Sequence, residues 1–500
     1  MSLICNDAML KGEKNMFKKV LSVCISMMVM LSVAGCGGKT ESQSDNGDKV
    51  MVSISFWEGS NKKGTEKTLT ELTEKYKEIH PEVEFNLMPQ PNSGYQDWIK
   101  ARLAADDAPV LEFNHTSILK DQYKNGYLYD FSEEFNKPNP YVDGNAAWKD
   151  IFEDGKLDAA HEYSYEPTYA VPISGMGIGI YYNKDIYEKL GLSVPETWDE
   201  FIANCEKIKE SGSNPISMML MKPDAVSWFN WYFYTGMYAN YYLANPDINY
   251  NGDNVLSTAE YAKAVCEGKF DLTKGKDNEF VNKYLDFAEQ FGKYCIGAAG
   301  LDEAGAKAQF LAGTAGHLMS GSWDMDSMLN NGKVNIGVFS LPKFSKENSE
   351  YAGSNMMIST VSTYGIIKSE KHSQAQYDAA IDFMKFWTAP ENYKLYVENT
   401  LDSPVIKGLE IDPIYEVFNA GKSEPLNIIR STTVSPITES VALSTAMSGE
   451  KYDREELIKG MQDAVVQYCE DYNKKNGNSA DNNYGVDEVP VRMPFQPTEP

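Results

Sequence analysis

The chain has 500 residues, of which 42% are hydrophobic, so we expect two or three globular domains rather than one ordinary core. It carries 72 acidic and 46 basic residues, a net charge of −26. Binding to nucleic acid or to anionic lipid requires a positive surface, so this charge argues against both kinds of partner.

The N-terminal segment has the pattern of a bacterial export signal. Lys18 and Lys19 precede an uncharged, mainly apolar run from Val20 to Val33, which is shorter than the about 20 residues of a membrane-spanning helix. The run leads into Val33-Ala34-Gly35-Cys36, which resembles the lipobox of bacterial lipoproteins. The alternative, a core helix with a chance cysteine, leaves the flanking lysines unexplained.

This pattern predicts how the mature protein begins. We expect residues 1–35 to be a signal peptide and Cys36 to carry lipid, such as palmitate. Residues 36–48 are polar and predict a flexible tether. Met16 is a candidate start besides Met1, because residues 1–15 add nothing that a signal peptide needs.

Strands and helices then alternate along the chain. Residues 50–56 and 83–87 predict strands, and the spacing of apolar residues from Leu69 to Ile79 predicts a helix between them. Helices near 97–105 and 117–125 surround a strand at 110–113. This order is typical of a parallel sheet that is covered by helices on both faces.

A second unit of the same kind begins near Tyr169. Residues 177–182 predict a strand, and Thr197 with Glu200 forms the pattern of a capping box at the start of a helix. The polar residues after Lys475 predict a loosely ordered tail. Further elements are expected as helices near 185–190, 279–294, 303–312, 374–387 and 455–472, and as strands at 315–319 and 334–339.

Seven segments resemble, in the same order, the family 1 extracellular solute-binding proteins, the group that includes the maltose-binding protein. The most specific is YAVPISGMGIGIYYNKDIYEKLGLSVPETWDEF at residues 169–201. The others are SFWEGSNKKGTEKTLTELTEKYKEIHPEVEF, DDAPVLEF, AKAQFLAGTAGHLMSGSW, NIGVFSLPKF, AAIDFMKFWTAPENYKLYVENT and the region 435–464. The likeness covers roughly residues 50–475.

The resemblance implies an α/β architecture, the two-lobed periplasmic-binding-protein fold. Its two α/β domains are joined by a three-segment hinge, and the ligand cleft lies between them. The crossings are expected near residues 174–176 and 351–353 and within 412–432, and they would let the lobes close on a ligand. The implied division is lobe 1 at 49–174 plus 353–425, lobe 2 at 176–351 plus 430–480, and a polar tail at 481–500.

The resemblance also implies a binding protein and not an enzyme. We expect a monomer that is held by its lipid at the extracellular face of a bacterial membrane. It would deliver a carbohydrate, expected to be an oligosaccharide, to the permease of an ABC importer. No cofactor or metal is implied. Two alternatives stay open: the same fold with a peptide or polyamine ligand, and a surface-anchored glycoside hydrolase, which needs two carboxylates about 5–10 Å apart.

The strongest candidate ligand contact is Trp323, which matches the family's cleft tryptophan. An indole face covers the apolar face of a sugar ring, although a core position is the alternative. Asp324 either accepts sugar hydroxyls or caps a helix. Glu58 and Asn61 follow the first predicted strand, whose carboxyl end is expected to face the cleft.

Other candidates lie at equivalent places in the expected fold. Asn114 and His115 follow the strand that ends at residue 113, and Met176 falls at the first crossing, where some relatives have a carboxylate. Asp224 lies in a loop of the second lobe, and Trp228 after it is either a ligand contact or a packing residue. Weaker candidates are Tyr351, at the second crossing, and Asp402, near the cleft rim.

Two motifs suggest other chemistry without completing it. Residues 247–252 match the first half of a calcium loop, but Thr258 stands where a bidentate Glu is required, so we expect a plain turn. The run Gly175-x-Gly177-x-Gly179 lacks the spacing of a phosphate-binding loop and lies at the entry to a strand.

Four cysteines remain after Cys36, and they are widely spaced. They allow three pairings, among which sequence alone does not choose. The absence of a C-x-x-C pair argues against a zinc ribbon or a redox motif. The four are Cys205, Cys266, Cys295 and Cys469.

Overall fold

The computed structural model describes most of the chain from residue 49 onward. The predicted signal peptide, Cys36 and the tether lie outside the described residues, as does Asn61. Among the helices that are described, none is long and apolar enough to span a membrane. The described residues are 49–58, 62–160, 168–220, 223–353, 360–409, 414, 417–418, 428–429, 436–489, 491 and 494–500.

The strands lie mainly in two sheets. Their bounds are β1 Val50–Glu58, β2 Val83–Pro91, β3 Leu111–His115, β4 Ala170–Met176, β5 Ile178–Asn183, β6 Asn214–Ser217, β7 Val255–Leu256, β8 Ala315–Gly321, β9 Ile336–Ser340, β10 Thr360–Ile366 and β11 Ile428–Ile429.

Helices connect and cover these strands. Their bounds are α1 Lys62–Ile79, α2 Asn92–Ala104, α3 Thr116–Lys124, α4 Lys156–Ala159, α5 Lys184–Leu190, α6 Trp198–Glu210, α7 Pro223–Ala244, α8 Thr258–Cys266, α9 Gly275–Gly292, α10 Glu303–Leu311, α11 Met325–Leu329, α12 Gln374–Thr388, α13 Pro390–Thr400, α14 Pro436–Ser448 and α15 Arg454–Asn476.

The first sheet has the strand order β2-β1-β3-β10-β4 within the described residues. Strand β1 pairs in parallel with β2 and β3, as the strand–helix alternation predicts. Strand β10 is antiparallel to both β3 and β4, so the sheet is mixed and not wholly parallel as expected. The carboxyl ends of β1, β3 and β4 therefore lie at the same edge.

The second sheet, in the part of the chain that is described, has the order β6-β8-β5-β9. Strand β5 is antiparallel to β8 and β9, and β6 is parallel to β8. The start of β5 consequently lies beside the end of β8, with Ile178 opposite Gly321. Only Gly177 separates β4 from β5, so the chain passes from one sheet to the other at the edge where these strands end.

Local signals explain several helix boundaries. In α1 the residues Leu69, Leu72 and Tyr76 are buried on one face, and the helix ends at Ile79, just before His80-Pro81. In α6 the predicted capping box is present. The Thr197 hydroxyl accepts from the amide of Glu200, and the Glu200 carboxylate accepts from the amide of Thr197 at 3.1 Å.

Helix α7 carries the hydrophobic core of the second sheet and was not predicted. Phe229, Phe233 and Met237 on it are fully buried, and Tyr232 and Tyr234 nearly so. Because apolar residues surround this helix on most sides, its sequence shows no polar face and no clear helical period. In the first sheet's core, Trp387 is fully buried and packs edge-on against Tyr364.

The C-terminal residues are packed, contrary to the prediction of a loosely ordered tail. Residues Ala480–Glu488 form short 3-10 turns that begin with a capping box and are separated by a kink at residues 482–485. The side-chain amide of Asn240 donates to the carbonyl of Thr498 at 2.8 Å, and its oxygen accepts from the Thr498 amide at 3.1 Å. Phe495 packs against the second sheet's core. The polar composition of the C-terminal residues does not predict these contacts, because main-chain groups and one aromatic ring make most of them.

The calcium-like segment forms the expected turn. The Asn249 amide donates to the carbonyls of Leu243 and Asp253, both at 2.7 Å, and Gly252 adopts a positive φ of 69°. The amide of Asn251 donates to the Glu260 carboxylate at 3.1 Å. These hydrogen bonds close the turn with the protein's own groups.

Candidate functional site

Three segments of the chain converge at Gly175–Gly179, where β4 gives way to β5. The amide of Gly175 donates to the carbonyl of Ser403 at 2.7 Å, and the amide of Ser322 donates to the carbonyl of Gly177 at 2.9 Å. A Cβ on Gly177 would lie 2.5 Å from the carbonyl oxygen of Phe418. The glycine run therefore permits close packing of backbone segments, which explains it without any phosphate ligand.

Trp323 lies on the short turn that follows β8. Ser322–Asp324 form a single 3-10 turn, and the hydroxyl of Tyr181 donates to the carbonyl of Gly321 at 2.8 Å. The indole ring lies over Gly321, where an added Cβ would overlap three of the ring carbons. The indole is half-buried and packs against the second sheet's core. This placement combines the two readings of Trp323: it packs on one side and keeps part of its surface exposed.

Asp324 fastens this turn to helix α10. Its carboxylate is fully buried, forms an ion pair with Lys307 at 2.6 Å and accepts from the Ser320 hydroxyl at 2.5 Å. Burial by itself would lower the pKa of Lys307, but the charge of Asp324 raises it above its usual range. Asp324 makes no helix-capping hydrogen bond. Its oxygens thus serve an internal ion pair, which neither of the two expected roles anticipated.

Asn114, at the end of β3, is fully buried inside a polar network. Its side-chain oxygen accepts from Gln96 and from the amide of His115, both at 2.9 Å. Its amide group donates to Glu112 at 2.5 Å. These contacts hold the end of β3 in place, and they leave the Asn114 side chain with an internal role.

His115 is the exposed neighbour of this network. Its ring lies 4.7 Å from the ring of Trp57, centroid to centroid. Trp57 is half-buried and packs edge-on against Tyr95 and Phe113. Trp57 is therefore a packing residue that supports His115 at the sheet edge.

Glu112 is a residue of this region that sequence reasoning missed. It is fully buried, and this burial raises its pKa to about 7, although hydrogen bonds from Asn114 and Gln122 oppose the shift. The only available signal was a charged residue between apolar neighbours in the predicted strand. The structure adds that the acid supports Asn114 directly beneath the sheet edge.

Asp402, expected near the cleft rim, lies beside the end of β4, where its neighbour Ser403 pairs with Gly175. It is half-buried and accepts a hydrogen bond from the hydroxyl of Tyr396 at 2.8 Å. Burial raises the pKa of Asp402 to about 6, while the hydrogen bonds from Tyr396 and Ser174 oppose this. Its neighbour Ser403 holds Gly175, so Asp402 belongs to the same edge as the end of β4.

Tyr351 lies in a different environment. Its ring packs edge-on against Tyr241 at 5.1 Å and Phe280 at 5.7 Å, on the side of the second sheet's core that also receives the C-terminal residues. Close by, the amide of Gly353 donates to the carbonyl of Gly236 at 3.0 Å. These contacts place Tyr351 in the packing of α7 and α9 and do not bring it to the Trp323 turn.

For four further candidates the backbone positions are described, but the side chains are not. Glu58 is the last residue of β1 and Met176 the last residue of β4, so both end at the edge that carries His115. Asp224 and Trp228 lie in the first turns of α7, which follows the carboxyl end of β6. The strand ends of both sheets thus bring Glu58, His115, Met176 and Trp323 to neighbouring edges.

Comparison with protein families gives one extensive match. Residues 59–394 match the model of a family that is described as "Bacterial extracellular solute-binding protein". Among relatives, the multiple sugar-binding protein of Streptococcus mutans is 27% identical over 205 residues, which is 40% of this chain and 44% of that protein. The melibiose/raffinose/stachyose-binding protein MelE of Bacillus subtilis is 26% identical over 190 residues, 38% of this chain and 40% of that protein. These alignments span less than half the length of each relative.

Solved structures match over a greater length. Apo RafE from Streptococcus pneumoniae has a TM-score of 0.61 at 20% identity, covering 85% of this chain and 99% of that chain. A chitin oligosaccharide binding protein has a TM-score of 0.59 at 20% identity, covering 85% of this chain and all of that chain. At this identity the likeness concerns the fold, and it confirms the two-lobed α/β architecture that the sequence predicts.

Proposed function

The chain belongs to the family of bacterial extracellular solute-binding proteins, and from this premise we propose that it captures a carbohydrate for an ABC importer. The ligand would bind where the edges of the two sheets meet, and the permease subunits of the importer would accept it from the loaded protein. Relatives that are named for raffinose, melibiose and several sugars support a carbohydrate as the ligand.

The observation that carries this proposal is the position of Trp323. The indole lies on Gly321 at the end of β8, beside the Gly177 crossing between the sheets, and remains half-exposed. A flat aromatic surface beside polar groups suits a sugar ring, which has an apolar face and polar edges. The exposed His115 and the half-buried Asp402 supply polar groups at the facing sheet edge.

Other residues near the site would position these contacts. Asp324 and Lys307 hold the turn that carries Trp323, and Asn114 with Glu112 holds the strand end that carries His115. Five further residues remain proposed ligand contacts. The backbone positions support Glu58, Met176, Asp224 and Trp228, and the place in the sequence supports Asn61. Tyr351 would act through packing.

The lobe division and the anchor belong to the same proposal. In this proposal the chain crosses between lobe 1, residues 49–174 plus 353–425, and lobe 2, residues 176–351 plus 430–480. Two observations support these crossings: the chain passes from β4 to β5 at Gly177, and Phe418 packs against Gly177. The lobes would close on the ligand about these crossings. Lipid on Cys36 would hold the protein at the extracellular face of the membrane, which the signal-like residues 18–36 support.

Calorimetric titration of the purified protein with a panel of sugars tests the proposal. The panel comprises raffinose, melibiose, maltodextrins and chitin oligosaccharides, with polyamines and short peptides as the rival ligands. Saturable binding of a sugar that is recovered intact supports the proposal. Saturable binding of only a polyamine or a peptide would leave the fold unchanged and contradict a carbohydrate as the ligand. Cleavage of a sugar would show that the protein is a hydrolase and not a binding protein.

A further inference from the structure

Two of the four cysteines lie on helices α8 and α15, which pack against each other, and both are free thiols in the structure. Cys266 is the last residue of α8 and is exposed, whereas Cys469 on α15 is fully buried. The side-chain amide of Asn473 donates to the Cys266 sulfur at 3.5 Å. Cys469 precedes Asn473 by one helical turn, so both lie on the face of α15 that meets Cys266.

The electrostatic environment of Cys469 also indicates that Cys266 lies near it. Burial raises the pKa of Cys469 to about 12, and the nearby Cys266 contributes to that increase. In the same way Cys295 contributes, after burial, to the raised pKa of Cys205. Together with the hydrogen bond from Asn473, the effect on Cys469 associates Cys266 with Cys469, one of the pairings that the sequence left open.

We propose that Cys266 and Cys469 form a disulfide once the protein is outside the cell. Members of this family are extracellular, and disulfides form and persist in oxidising surroundings. The bridge would tie the C-terminal helix α15 to helix α8, which lies more than two hundred positions earlier in the chain. Bridges that enclose long segments reduce the freedom of the unfolded chain most.

The exposure of Cys266 determines the order of the chemistry. The Cys266 thiolate attacks a disulfide oxidant, forms a mixed disulfide and releases one thiol of the oxidant. Cys469 then loses its proton and attacks the Cys266 sulfur, which forms the protein disulfide and releases the second thiol. The protein loses two electrons and two protons, and the oxidant's disulfide is reduced to two thiols. Both Cys205 and Cys295 are buried, so an oxidant does not reach that pair in the folded protein.

Glutathione disulfide is the oxidant for the test. The full-length chain is incubated with it at pH 8, alkylated under denaturing conditions, and mapped by peptide mass spectrometry. The expected product has the Cys266 and Cys469 peptides linked, two hydrogens lighter than their sum, and alkylated Cys205 and Cys295. In Cys469→Ser the second step is lost, so glutathione should accumulate on Cys266, whereas Cys295→Ser should form the bridge as the wild type does.

Three results would overturn the proposal. They are glutathione left on Cys266 in the wild type to the same extent as in Cys469→Ser, both thiols unmodified, or Cys266 linked to a different cysteine. A second measurement needs no variant. The oxidised wild type should melt several degrees above the same sample treated with dithiothreitol, and equal melting temperatures would contradict a stabilising bridge.

Discussion

Replacing Trp323 by alanine separates a ligand-binding indole from a structural one. An aromatic residue at the centre of a binding site contributes about 2–4 kcal/mol on truncation, so Trp323→Ala should weaken sugar binding roughly 30- to 1000-fold. Because Trp323 is only half-buried, the loss of folding stability should stay well below the about 3–5 kcal/mol of a buried Trp→Ala change.

Gly321→Ala perturbs the same indole without removing it. The new methyl group would overlap three ring carbons, so the ring must move by about 1 Å or more to regain an ordinary contact near 3.5–4.0 Å. We expect weaker sugar binding here as well, with the protein still folded. Trp387→Phe, in the first sheet's core, is the control that should lower stability and leave sugar affinity unchanged.

Two assays on the same samples decide the outcome: calorimetric titration with the bound sugar, and urea unfolding. Lower affinity with nearly wild-type stability in Trp323→Ala and Gly321→Ala supports the proposed site. Large destabilisation of Trp323→Ala with unchanged affinity per folded molecule would make Trp323 a core residue and refute the site that is built around it.

Three further predictions concern the framework of the site. Gly177→Ala would bring its Cβ to 2.5 Å from the Phe418 oxygen, so urea unfolding should show a loss of about 1–3 kcal/mol; an unchanged midpoint would contradict the close packing. The pKa of Glu112 is about 7 in the folded protein, compared with an ordinary value of 4.5. The neutral carboxyl therefore stabilises the folded protein at low pH, and this stabilisation decreases as the pH rises from 4.5 to 7. Relative to Glu112→Gln, the wild type should lose up to roughly 3 kcal/mol over that range, and parallel pH profiles would refute this. Deleting residues 494–500 removes the Thr498–Asn240 hydrogen bonds and should lower the melting temperature, whereas no change would mean that the tail only rests on the surface.

Elements with local causes could be predicted from the sequence. The Thr197–Glu200 capping box and the buried face of α1 depend on residues within a few positions of each other, and both are confirmed. Strand β10 depends on distant partners, β3 and β4, and has no comparable local pattern. Helix α7 escaped prediction because burial on most sides removes the polar face that marks a surface helix.

The site shows the same division. The position of Trp323 shortly after a strand could be predicted, but its support by Gly321 depends on the orientation of the ring. The role of Asp324 could not be predicted, because its partner Lys307 lies on a different helix. The packing role of Gly177 could not be predicted either, because it depends on Phe418, which lies far along the chain. The glycine motif that suggests phosphate binding therefore serves backbone packing.

Titration of the wild-type protein with raffinose and the other sugars of the panel, followed by chromatography of the recovered ligand, tests the central claim most directly. We predict one saturable binding event per protein molecule for at least one carbohydrate, with that carbohydrate recovered uncleaved and the binding reduced in Trp323→Ala. No binding of any carbohydrate, or release of smaller sugars during the titration, would contradict the account.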